Sequence, residues 1–497
     1  MADTTAETTP IVTKGRTLAL LLLTLVYGFN FIDRQIVGIL APFIQGDLGL
    51  TNTELGLLIG LAFAAFYTIL GIPLAFLADR MSRVTLLSLA LATWSGFTAL
   101  TGFAQNFLHI ALARVGVGIG EAGGSPPSHS MISDFYAKEE RAGALGIYSL
   151  GIPLGIMAAY FLTAALLGAD PNTVNWRRIF IILGITGIAL AVVVKLVIRE
   201  PVRGAMDPGG KAPSGYIGLS ESFRQGAILP RVVLFGGLAA VLWGAHAVLG
   251  LPLLLAALLT LFLGMMFVLS FQPGVLTILS IRSWWFMALG IAFASFAAYA
   301  TSAFQTKYLR LLDPDFNFRT IVIWIGIING TFYVAGTYFG SKLVDRLAVR
   351  DVRAYGMIPA VSILLALPLA VASFWAPTVV LHLAFAAGLQ LCLGVYLGPS
   401  FAIAQTLAPI RLRAMSTALF FFVLNMIALG GGPTFAGIMI DVFLNGAGPA
   451  AGDELVATRY AMYTTFGAFA VAVFFYLLVR STLPRDWAEA EARNARG

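Results

Sequence analysis

Four ionisable residues stand inside otherwise apolar stretches, Asp33 and Arg34 in one and Arg114 and Glu121 in another. Within a membrane such charges are costly, so they mark ion or substrate pathways. Burial favours the protonated form of a carboxyl group, whereas a nearby arginine favours the ionised form. An arginine that moves can therefore load or release a proton, and we expect proton coupling at Asp33 and Glu121. The alternative is a static ion network that only fixes helix packing.

The four charges are predicted to lie in one layer. At about 1.5 Å of helical rise per residue, all of them fall near the middle of the membrane. Arg114 and Glu121 share one helix face about two turns apart. Asp33 and Arg34 lie at the depth between them, so either could bridge both if the two helices are neighbours.

The run around Glu121 also matches a soluble motif. Gly118, Gly120 and Gly123 form a G-x-G-x-x-G, which binds a dinucleotide pyrophosphate at a helix N-terminus. That site needs a preceding strand and free backbone amides, and Glu121 would repel a pyrophosphate. We expect no cofactor. The glycines are better explained as close helix–helix contacts, made by Gly116, Gly118, Gly120, Gly123 and Gly124.

The composition places these residues in a membrane. Of 497 residues, 59% are hydrophobic and 11% are charged, against about 25% charged in typical soluble domains. A soluble chain of this kind could not cover its surface with polar groups. The single Cys392 excludes a disulfide framework and a cysteine metal site, and we expect no bound metal.

Apolar runs long enough to span a bilayer recur along the chain. They lie near residues 17–43, 54–78, 84–104, 107–130, 141–166, 177–198, 231–249, 251–272, 284–306, 320–342, 354–374, 377–403, 411–440 and 457–480. A polar stretch with Gly and Pro, 200–230, reads as a linker. The predicted fold class is an all-α polytopic membrane protein of about 14 spans.

The basic residues predict the orientation. With the N-terminus inside, most of the 31 Lys and Arg residues fall on the cytoplasmic side, as the positive-inside rule expects. We therefore expect a multi-pass protein of the bacterial inner membrane with both termini cytoplasmic. The net charge of +7 needs no nucleic-acid partner.

The two halves of the chain echo each other. "GIPLAFLADRMSR" at 71–83 and "GTYFGSKLVDR" at 336–346 each end a span and enter a cytoplasmic loop. The stretches "RAGALGIYSL" and "RAMSTALFFF" also resemble each other, and nearly the same number of residues separates them as separates the first pair. They indicate a duplicated unit of six helices, with both copies in the same orientation. Such parallel repeats, related by an axis along the membrane normal, are a transporter architecture with its substrate site between the halves. The predicted organisation is a tail at 1–16, a six-helix bundle at 17–199, a linker with an inserted hairpin (231–272) at 200–283, a second bundle at 284–480 and a cytoplasmic tail at 481–497.

Several motifs carry a family resemblance. "LADRMSR" resembles the major facilitator superfamily signature between helices two and three, although Ala75 and Ser82 replace its glycines. "RVGVGIG" resembles the R-x-x-x-G-x-G of helix four. "FIDRQIVGILAPFIQGDLGLTNTELGLL", "GIGEAGGSPPSHSMISDFY" and "IRSWWFMALG" resemble the Spinster branch. The resemblance implies neighbouring helices one and four, and proton-coupled transport of lysophospholipid-like or sphingoid amphiphiles.

The signature residues predict a gating latch at the cytoplasmic face. Charges at a helix end can pair with a neighbouring helix terminus in one access state and separate in the other. Positive-inside anchoring alone is the alternative. The candidate residues are Asp79, Arg80 and Arg83, with Glu140 and Arg141 as partners, and Asp345 and Arg346 in the second half.

Polar and aromatic side chains at similar depth predict the lining of a cavity. They are Asn30, Phe63, Tyr67, Phe296, Tyr299, Asn329, Tyr333 and Asn425. The mixture favours an amphipathic substrate over a sugar. The resemblance implies that Arg34 or Arg114 can hold a phosphate head group.

These observations predict a secondary transporter, a monomer in the lipid bilayer, that moves a small amphiphilic lipid such as a lysophospholipid or sphingoid phosphate together with protons. The alternative transporter exports drugs or organic anions by proton exchange. A lipid acyltransferase is a different class, suggested by the H-x-x-x-x-D of His129 and Asp134. No second catalytic motif accompanies it, so we expect no enzyme and no catalytic residue. An ATP-driven pump is excluded, because Ala212 follows Gly210-Lys211 where a P-loop needs Ser or Thr.

Overall fold

A computed structural model gives the fold. The structure describes residues 15–78, 81–167, 174–203, 206, 228–249, 260, 263–264, 267, 273–409 and 412–495. Helices joined by short loops make up this part of the chain, and none of its residues is in a strand. The all-α fold class is confirmed.

Several helices of the N-terminal half are short and succeed one another within one span, whereas others cross the bundle unbroken. They are α1 (Arg16–Ile39), α2 (Ala41–Leu48), α3 (Asn52–Ile59), α4 (Leu61–Ala78), α5 (Arg83–Thr101), α6 (Phe107–Glu121), α7 (Ser125–Phe135), α8 (Lys138–Ser149), α9 (Gly151–Leu166) and α10 (Trp176–Val197).

An inserted helix, α11 (Ile228–Leu249), precedes the C-terminal half. That half contains α12 (Pro273–Leu279), α13 (Arg282–Leu312), α14 (Phe318–Ile328), α15 (Val334–Ala348), α16 (Ala354–Trp375), α17 (Val379–Val395), α18 (Leu397–Thr406), α19 (Arg413–Leu424), α20 (Gly431–Asn445) and α21 (Glu454–Ala495). Single π-helical turns join α14 to α15 (Asn329–Tyr333) and α19 to α20 (Asn425–Gly430).

Eleven of the 14 predicted spans are recovered, with shifted boundaries. Eleven helical segments of the described residues are long and apolar enough to cross a membrane. The span predicted at 107–130 is divided into α6 and α7, because two prolines open α7 and cannot continue a hydrogen-bonded helix. The run predicted at 251–272 lies almost wholly outside the described residues. A ring contact of 5.8 Å between Phe235 and Phe267 joins it to α11.

The stretch predicted as a C-terminal tail continues α21 through Ala495. Side-chain pairs one turn apart support this extension. Arg485 pairs with Glu489 at 2.9 Å, and the indole of Trp487 donates to Glu491 at 2.8 Å. Such i,i+4 pairs stabilise a helix beyond the apolar span.

Glycines bring the helices of the N-terminal half into close contact. A Cβ on Gly118 would lie 2.7 Å from the Phe63 carbonyl oxygen, and one on Gly120 would lie 2.6 Å from the Trp94 backbone nitrogen. The remaining glycines of the run meet further side chains: Gly116 packs on Phe97, Gly123 on Ala90 and Gly124 on Trp94. Their predicted role in helix packing is confirmed.

The bundle has two faces. Helix α1 begins at one face with Arg16 and ends at the other, just before α3 starts. The amide of Asn52, at the start of α3, donates to Glu454, at the start of α21, so α21 runs back to the face of Arg16. We call the face that holds Arg16 and the end of α21 the terminal face, and the other the opposite face.

The two halves are joined between the middle of the bundle and the opposite face. Ser302 of α13 donates to the Gln35 side-chain oxygen Oε1 at 3.1 Å, and Thr306 donates to the backbone oxygen of Gly38 at 2.8 Å. Closer to the opposite face, α3 packs directly on α20. The central site therefore lies between a closed opposite face and the terminal face.

Candidate functional site

A buried ion pair occupies the middle of the N-terminal half. The Arg34 Nε atom of α1 donates to Glu121 Oε2 of α6 at 2.8 Å, and the two side chains are 10% and 0% exposed. A charge-assisted hydrogen bond of this kind is strong in a low-dielectric surrounding. The pair brings together α1, which belongs to the first predicted span, and α6, which belongs to the fourth. The family resemblance implies that these two spans are neighbours.

Aromatic rings surround the arginines of the site. The Arg34 guanidinium lies 4.3 Å from the Tyr67 ring centroid and 5.1 Å from that of Phe63. On the same Phe63 ring, the Arg114 guanidinium lies at 4.9 Å. These cation–π contacts hold both charges in place without neutralising them.

Among the described residues, none forms hydrogen bonds to both Arg114 and Glu121. Glu121 takes Arg34, whereas Arg114 donates to the Leu58 carbonyl oxygen at 3.4 Å and faces an aromatic ring. The sequence predicts the layer of charges, but helix rotation decides this pairing.

Asp33 is a buried carboxyl group without a hydrogen-bond partner among the described residues. Its side chain is 1% exposed, and neither carboxyl oxygen has a hydrogen-bond partner among the described residues. Buried polar groups are normally paired. Asp33 can therefore take up a proton without breaking an ion pair, and Glu121 can do so only by releasing Arg34.

A small cavity of about 20 Å³ lies beside the ion pair, where the halves meet. Its polar lining consists of Arg34, Gln35, Arg114, Tyr299 and Ser302. Such a volume holds about one water. A substrate head group can enter only if side chains of the lining move.

The predicted cavity residues divide into two groups. Phe63 and Tyr299 line this cavity, Tyr67 stacks on Phe63 with ring centroids 5.5 Å apart, and Asn30 is buried in α1 one turn from Arg34.

The other four predicted residues lie in the C-terminal half, away from the lining of this cavity: Phe296, Asn329, Tyr333 and Asn425. Asn329 accepts from Gln390 at 3.0 Å, and Asn425 opens the second π-helical turn.

Arg83, one of the predicted gating residues, lies in a polar cluster at the terminal face, which we call the terminal cluster: Arg83, Ser130, Asp134 and Glu200. The Arg83 side chain is 1% exposed and pairs with Asp134 and, at 2.8 Å, with Glu200. It also donates to Ser130 at 2.8 Å. Glu200 follows α10, so this cluster ties α5, α7 and the end of α10 together.

The predicted partners of Arg83 have other contacts. Glu140 pairs with Arg16 at 2.7 Å, and Arg141 donates to the Ser133 carbonyl oxygen at 2.8 Å. Both follow α7, and Asp134 within α7 reaches Arg83 first. Arg83 therefore pairs with Asp134 and Glu200 in this structure, and Glu140 pairs with Arg16.

The other predicted gating residues show no buried ion pair among the described residues. Asp79 and Arg80 lie outside the described residues. Asp345 and Arg346 are exposed near the end of α15. The burial of a charged signature residue is thus observed in the N-terminal half, at Arg83.

Glu200 gives the terminal cluster a pH dependence. Burial would raise the pKa of Glu200, but donors from Val84 N–H, Arg83 and Ser82 outweigh it and hold the pKa below its usual value. Its stabilising effect is fully present above the unfolded pKa of about 4.3 and is lost as pH falls through the lowered folded pKa. We expect Glu200→Gln to destabilise the protein by about 1–2 kcal/mol at pH 7.

Unfolding of purified protein in detergent between pH 8 and pH 3 measures this effect. The difference from wild type should stay constant down to about pH 5 and shrink below it. Exposed Glu489→Gln is the control. A difference that persists unchanged at pH 3 would contradict the assignment.

The opposite face carries a second polar cluster, which the sequence analysis missed. The Asp441 carboxylate of α20 accepts from the Asn52 and Thr53 backbone N–H groups at 3.2 and 2.7 Å, and from the Thr53 hydroxyl at 2.6 Å. A carboxylate at a helix N-terminus is stabilised by free N–H groups and the helix dipole. Asp441 of the C-terminal half thus caps α3 of the N-terminal half.

Lys307 completes this cluster, which we call the opposite-face latch: Asn52, Thr53, Lys307, Asp441 and Glu454. Lys307 is 3% exposed, donates to the Asn52 side chain and pairs with Glu454 at 2.6 Å. Lys307 and Asp441 each lie one residue beyond a predicted span, since those spans end at 306 and 440. Since α13 and α20 extend further, continuing the helical register past those limits would have found both.

The acyltransferase pair is not assembled. His129 packs edge-on against Tyr148 with ring centroids 5.1 Å apart, and Asp134 is paired with Arg83. Five residues along one helix place the two side chains on different faces.

Comparison with known proteins agrees with this architecture. The sequence profile of the Major Facilitator Superfamily matches residues 23–313. A crystal structure of a bacterial homolog to the human lysosomal transporter Spinster, inward-facing and unoccupied, superposes with a TM-score of 0.74 at 27% identity, covering 95% of this chain and 98% of that one. The predicted resemblance to the Spinster branch is confirmed.

Curated relatives are similar in sequence. An MFS-type efflux pump of Mycolicibacterium smegmatis is 28% identical over 95% of this chain and 94% of its own length. Shorter matches cover about a third of each protein. The sphingosine-1-phosphate transporter SPNS2 of Danio rerio is 30% identical over 37% of this chain and 36% of its own length. The probable L-galactonate transporter of Escherichia coli (strain K12) is 33% identical over 36% and 38%.

Proposed function

We propose a substrate and a driving force for this chain, which belongs to the Major Facilitator Superfamily and is a multi-pass membrane transporter, not an enzyme. The substrate is an amphiphile with an anionic head group, such as a lysophospholipid or a sphingoid phosphate. Protons drive its movement by alternating access between the two halves.

The buried Arg34–Glu121 pair carries this proposal. Arg34 lines the central cavity together with Arg114, and Glu121 is its internal anion at 2.8 Å. An incoming anionic head group competes with Glu121 for Arg34. Once displaced, the Glu121 carboxylate is unpaired in a low-dielectric surrounding, which favours proton uptake.

Asp33 supplies a second proton acceptor in the same layer. Its oxygens are unpartnered among the described residues, and Arg114 acts on it electrostatically. A head group that draws Arg114 away removes a positive charge from the surroundings of Asp33. Proton binding at both carboxyls then balances the charge that the substrate brings.

The positive-inside distribution supports a cytoplasmic terminal face. In that orientation the opposite-face latch closes the outer side of the protein. The outward-facing state requires the latch to open and the terminal face to close around the terminal cluster.

Uptake into proteoliposomes tests this function. Labelled lysophospholipid, sphingosine-1-phosphate and galactonate are offered with and without a pH gradient, to wild type and to Asp33→Asn. We expect gradient-driven uptake of an amphiphilic anion by wild type and loss of the gradient dependence in Asp33→Asn. Folded wild type that moves none of the anions would reject the substrate class.

Export of organic anions or drugs is the second candidate. Its support is the full-length similarity to a protein named as an efflux pump and the shorter one to a galactonate transporter. Galactonate uptake without lipid uptake would favour the organic anion. Transport of apolar cations alone would favour the drug exporter.

A further inference from the structure

We propose that Gln35 sets the charge preference of the central cavity. It supplies a neutral hydrogen-bond donor beside Arg34, where a carboxylate would satisfy the arginine internally. This inference rests on the function proposed above, because it concerns the same cavity, and it names the residue that selects an anion.

The polar lining of the cavity consists of hydrogen-bond donors. Two guanidinium groups, from Arg34 and Arg114, are joined by the Gln35 amide and by the hydroxyls of Tyr299 and Ser302. Among the described residues that line it, none is a carboxylate. Glu121 and the Leu58 carbonyl oxygen each occupy only the Nε group of one arginine. The remaining guanidinium donors and the Gln35 Nε2 group favour a ligand that brings the acceptor, a phosphate or a carboxylate.

Ser302 fixes the Gln35 amide. Its hydroxyl donates to Gln35 Oε1 at 3.1 Å, across the junction of the two halves. With Oε1 occupied, the Nε2 group is the part of the amide left for a ligand. In the described part of the chain, Nε2 has no hydrogen-bond partner.

The charge balance explains why a neutral residue is needed at this position. The buried layer holds two arginines and two carboxyls, and Glu121 already occupies the Nε side of Arg34. A glutamate at position 35 would give the layer a surplus negative charge and would compete with a substrate anion for the remaining Arg34 donors. Glutamine keeps the size of the side chain and leaves those donors available.

The size of the cavity places Gln35 in contact with the head group. A phosphate is larger than the single water that about 20 Å³ accommodates. Space is gained when apolar side chains of the lining, such as Phe63 and Leu429, move aside. Gln35, still oriented by Ser302, then presents its Nε2 group to the anion.

Binding to purified protein in detergent tests the inference. The probes are labelled sphingosine-1-phosphate, galactonate and inorganic phosphate as anions, and sphingosine as a cation with the same chain. We expect Gln35→Glu to weaken binding of sphingosine-1-phosphate by at least about 30-fold, because a carboxylate replaces an amide donor beside Arg34, and to gain sphingosine binding. Ser302→Ala should weaken sphingosine-1-phosphate by about 3-fold, because it loses only the hydrogen bond that orients the amide.

Gln105→Glu is the control, since it adds the same charge at an exposed position and should bind like wild type. If Gln35→Glu does not fold, Gln35→Met is expected to weaken the anion without gaining sphingosine. If galactonate or inorganic phosphate competes with sphingosine-1-phosphate, the anionic group alone is recognised. If neither competes, recognition requires both the anionic group and the apolar chain. Either result supports the role of Gln35 in charge preference, provided that Gln35→Glu loses affinity for sphingosine-1-phosphate.

Equal affinity of wild type and Gln35→Glu for the bound anion would overturn this inference and leave the proposed function standing. Wild type that binds sphingosine and none of the anions would overturn the proposed substrate class, and this inference with it. The two failures are therefore distinct.

Discussion

Replacing Glu121 by glutamine is expected to reduce uptake driven by a pH gradient by about two orders of magnitude, while exchange of substrate between equal pools persists. Glu121 is the partner of Arg34 at 2.8 Å and is fully buried. Glutamine preserves the shape but can neither bind nor release a proton. It also leaves the Arg34 charge without its counter-ion, a change that costs about 3–5 kcal/mol for a buried pair.

The comparison is made in proteoliposomes with labelled sphingosine-1-phosphate, with and without an imposed gradient. Glu489→Gln is the matched control, because this carboxylate is 60% exposed and pairs one turn away with Arg485. Gradient-driven uptake that survives in folded Glu121→Gln would make the buried pair a structural element. Loss of both uptake and exchange would place Glu121 in binding instead of coupling.

Asp441→Ala is expected to open the opposite face. The change removes the carboxylate that accepts four hydrogen bonds from Asn52 and Thr53 across the halves. Hydrogen bonds to a charged group contribute about 1.5–3 kcal/mol each. A net loss of about 2.7 kcal/mol would shift the ratio of open to closed protein by about 100-fold. The internal cap of α3, from Thr51 and Glu54, remains, so the helix itself should persist.

Spin labels at two exposed positions of the opposite face, Gln105 and Asn445, measure the opening. The labels are attached to cysteines introduced at these positions, in a variant where Cys392 is replaced by alanine. Pulsed electron paramagnetic resonance then measures the distance between the halves. We expect the distances to lengthen in Asp441→Ala, and to lengthen less in Asp441→Asn, which retains one acceptor oxygen.

Asp315→Ala provides the control, since Asp315 is an exposed carboxylate of the loop between α13 and α14. Unchanged distances in Asp441→Ala would mean that apolar packing between α3 and α20 alone keeps this face closed. Uptake would also respond, because a transporter that is biased open on one face completes fewer cycles.

The two clusters at opposite faces have complementary arrangements. The opposite-face latch joins residues of different halves, whereas the terminal cluster joins α5, α7 and the end of α10 within one half. Only the first must break when the halves rock. The terminal cluster instead keeps the N-terminal helices together during that movement, and its stability is set by Arg83 and Glu200.

The amino-acid sequence by itself determined the class of the protein and its main charged residues. Apolar runs can be read residue by residue, because the cost of exposing or burying a side chain is local. Asp33, Arg34, Arg114 and Glu121 stood out for the same reason: a charge within such a run is expensive wherever the run packs. The family resemblance then supplied the neighbourhood of helices one and four.

Only the tertiary structure decided which side chains form ion pairs and hydrogen bonds with each other. Arg34 takes Glu121 because rotation of α1 and α6 brings those side chains together, and rotation depends on packing by residues such as Gly118 and Gly120. The latch is formed by groups far apart in the chain, and Asp441 caps a helix that begins 389 residues earlier. Hydropathy reports how deeply a residue is buried. Which partner it meets there follows from the direction of its side chain in the assembled bundle.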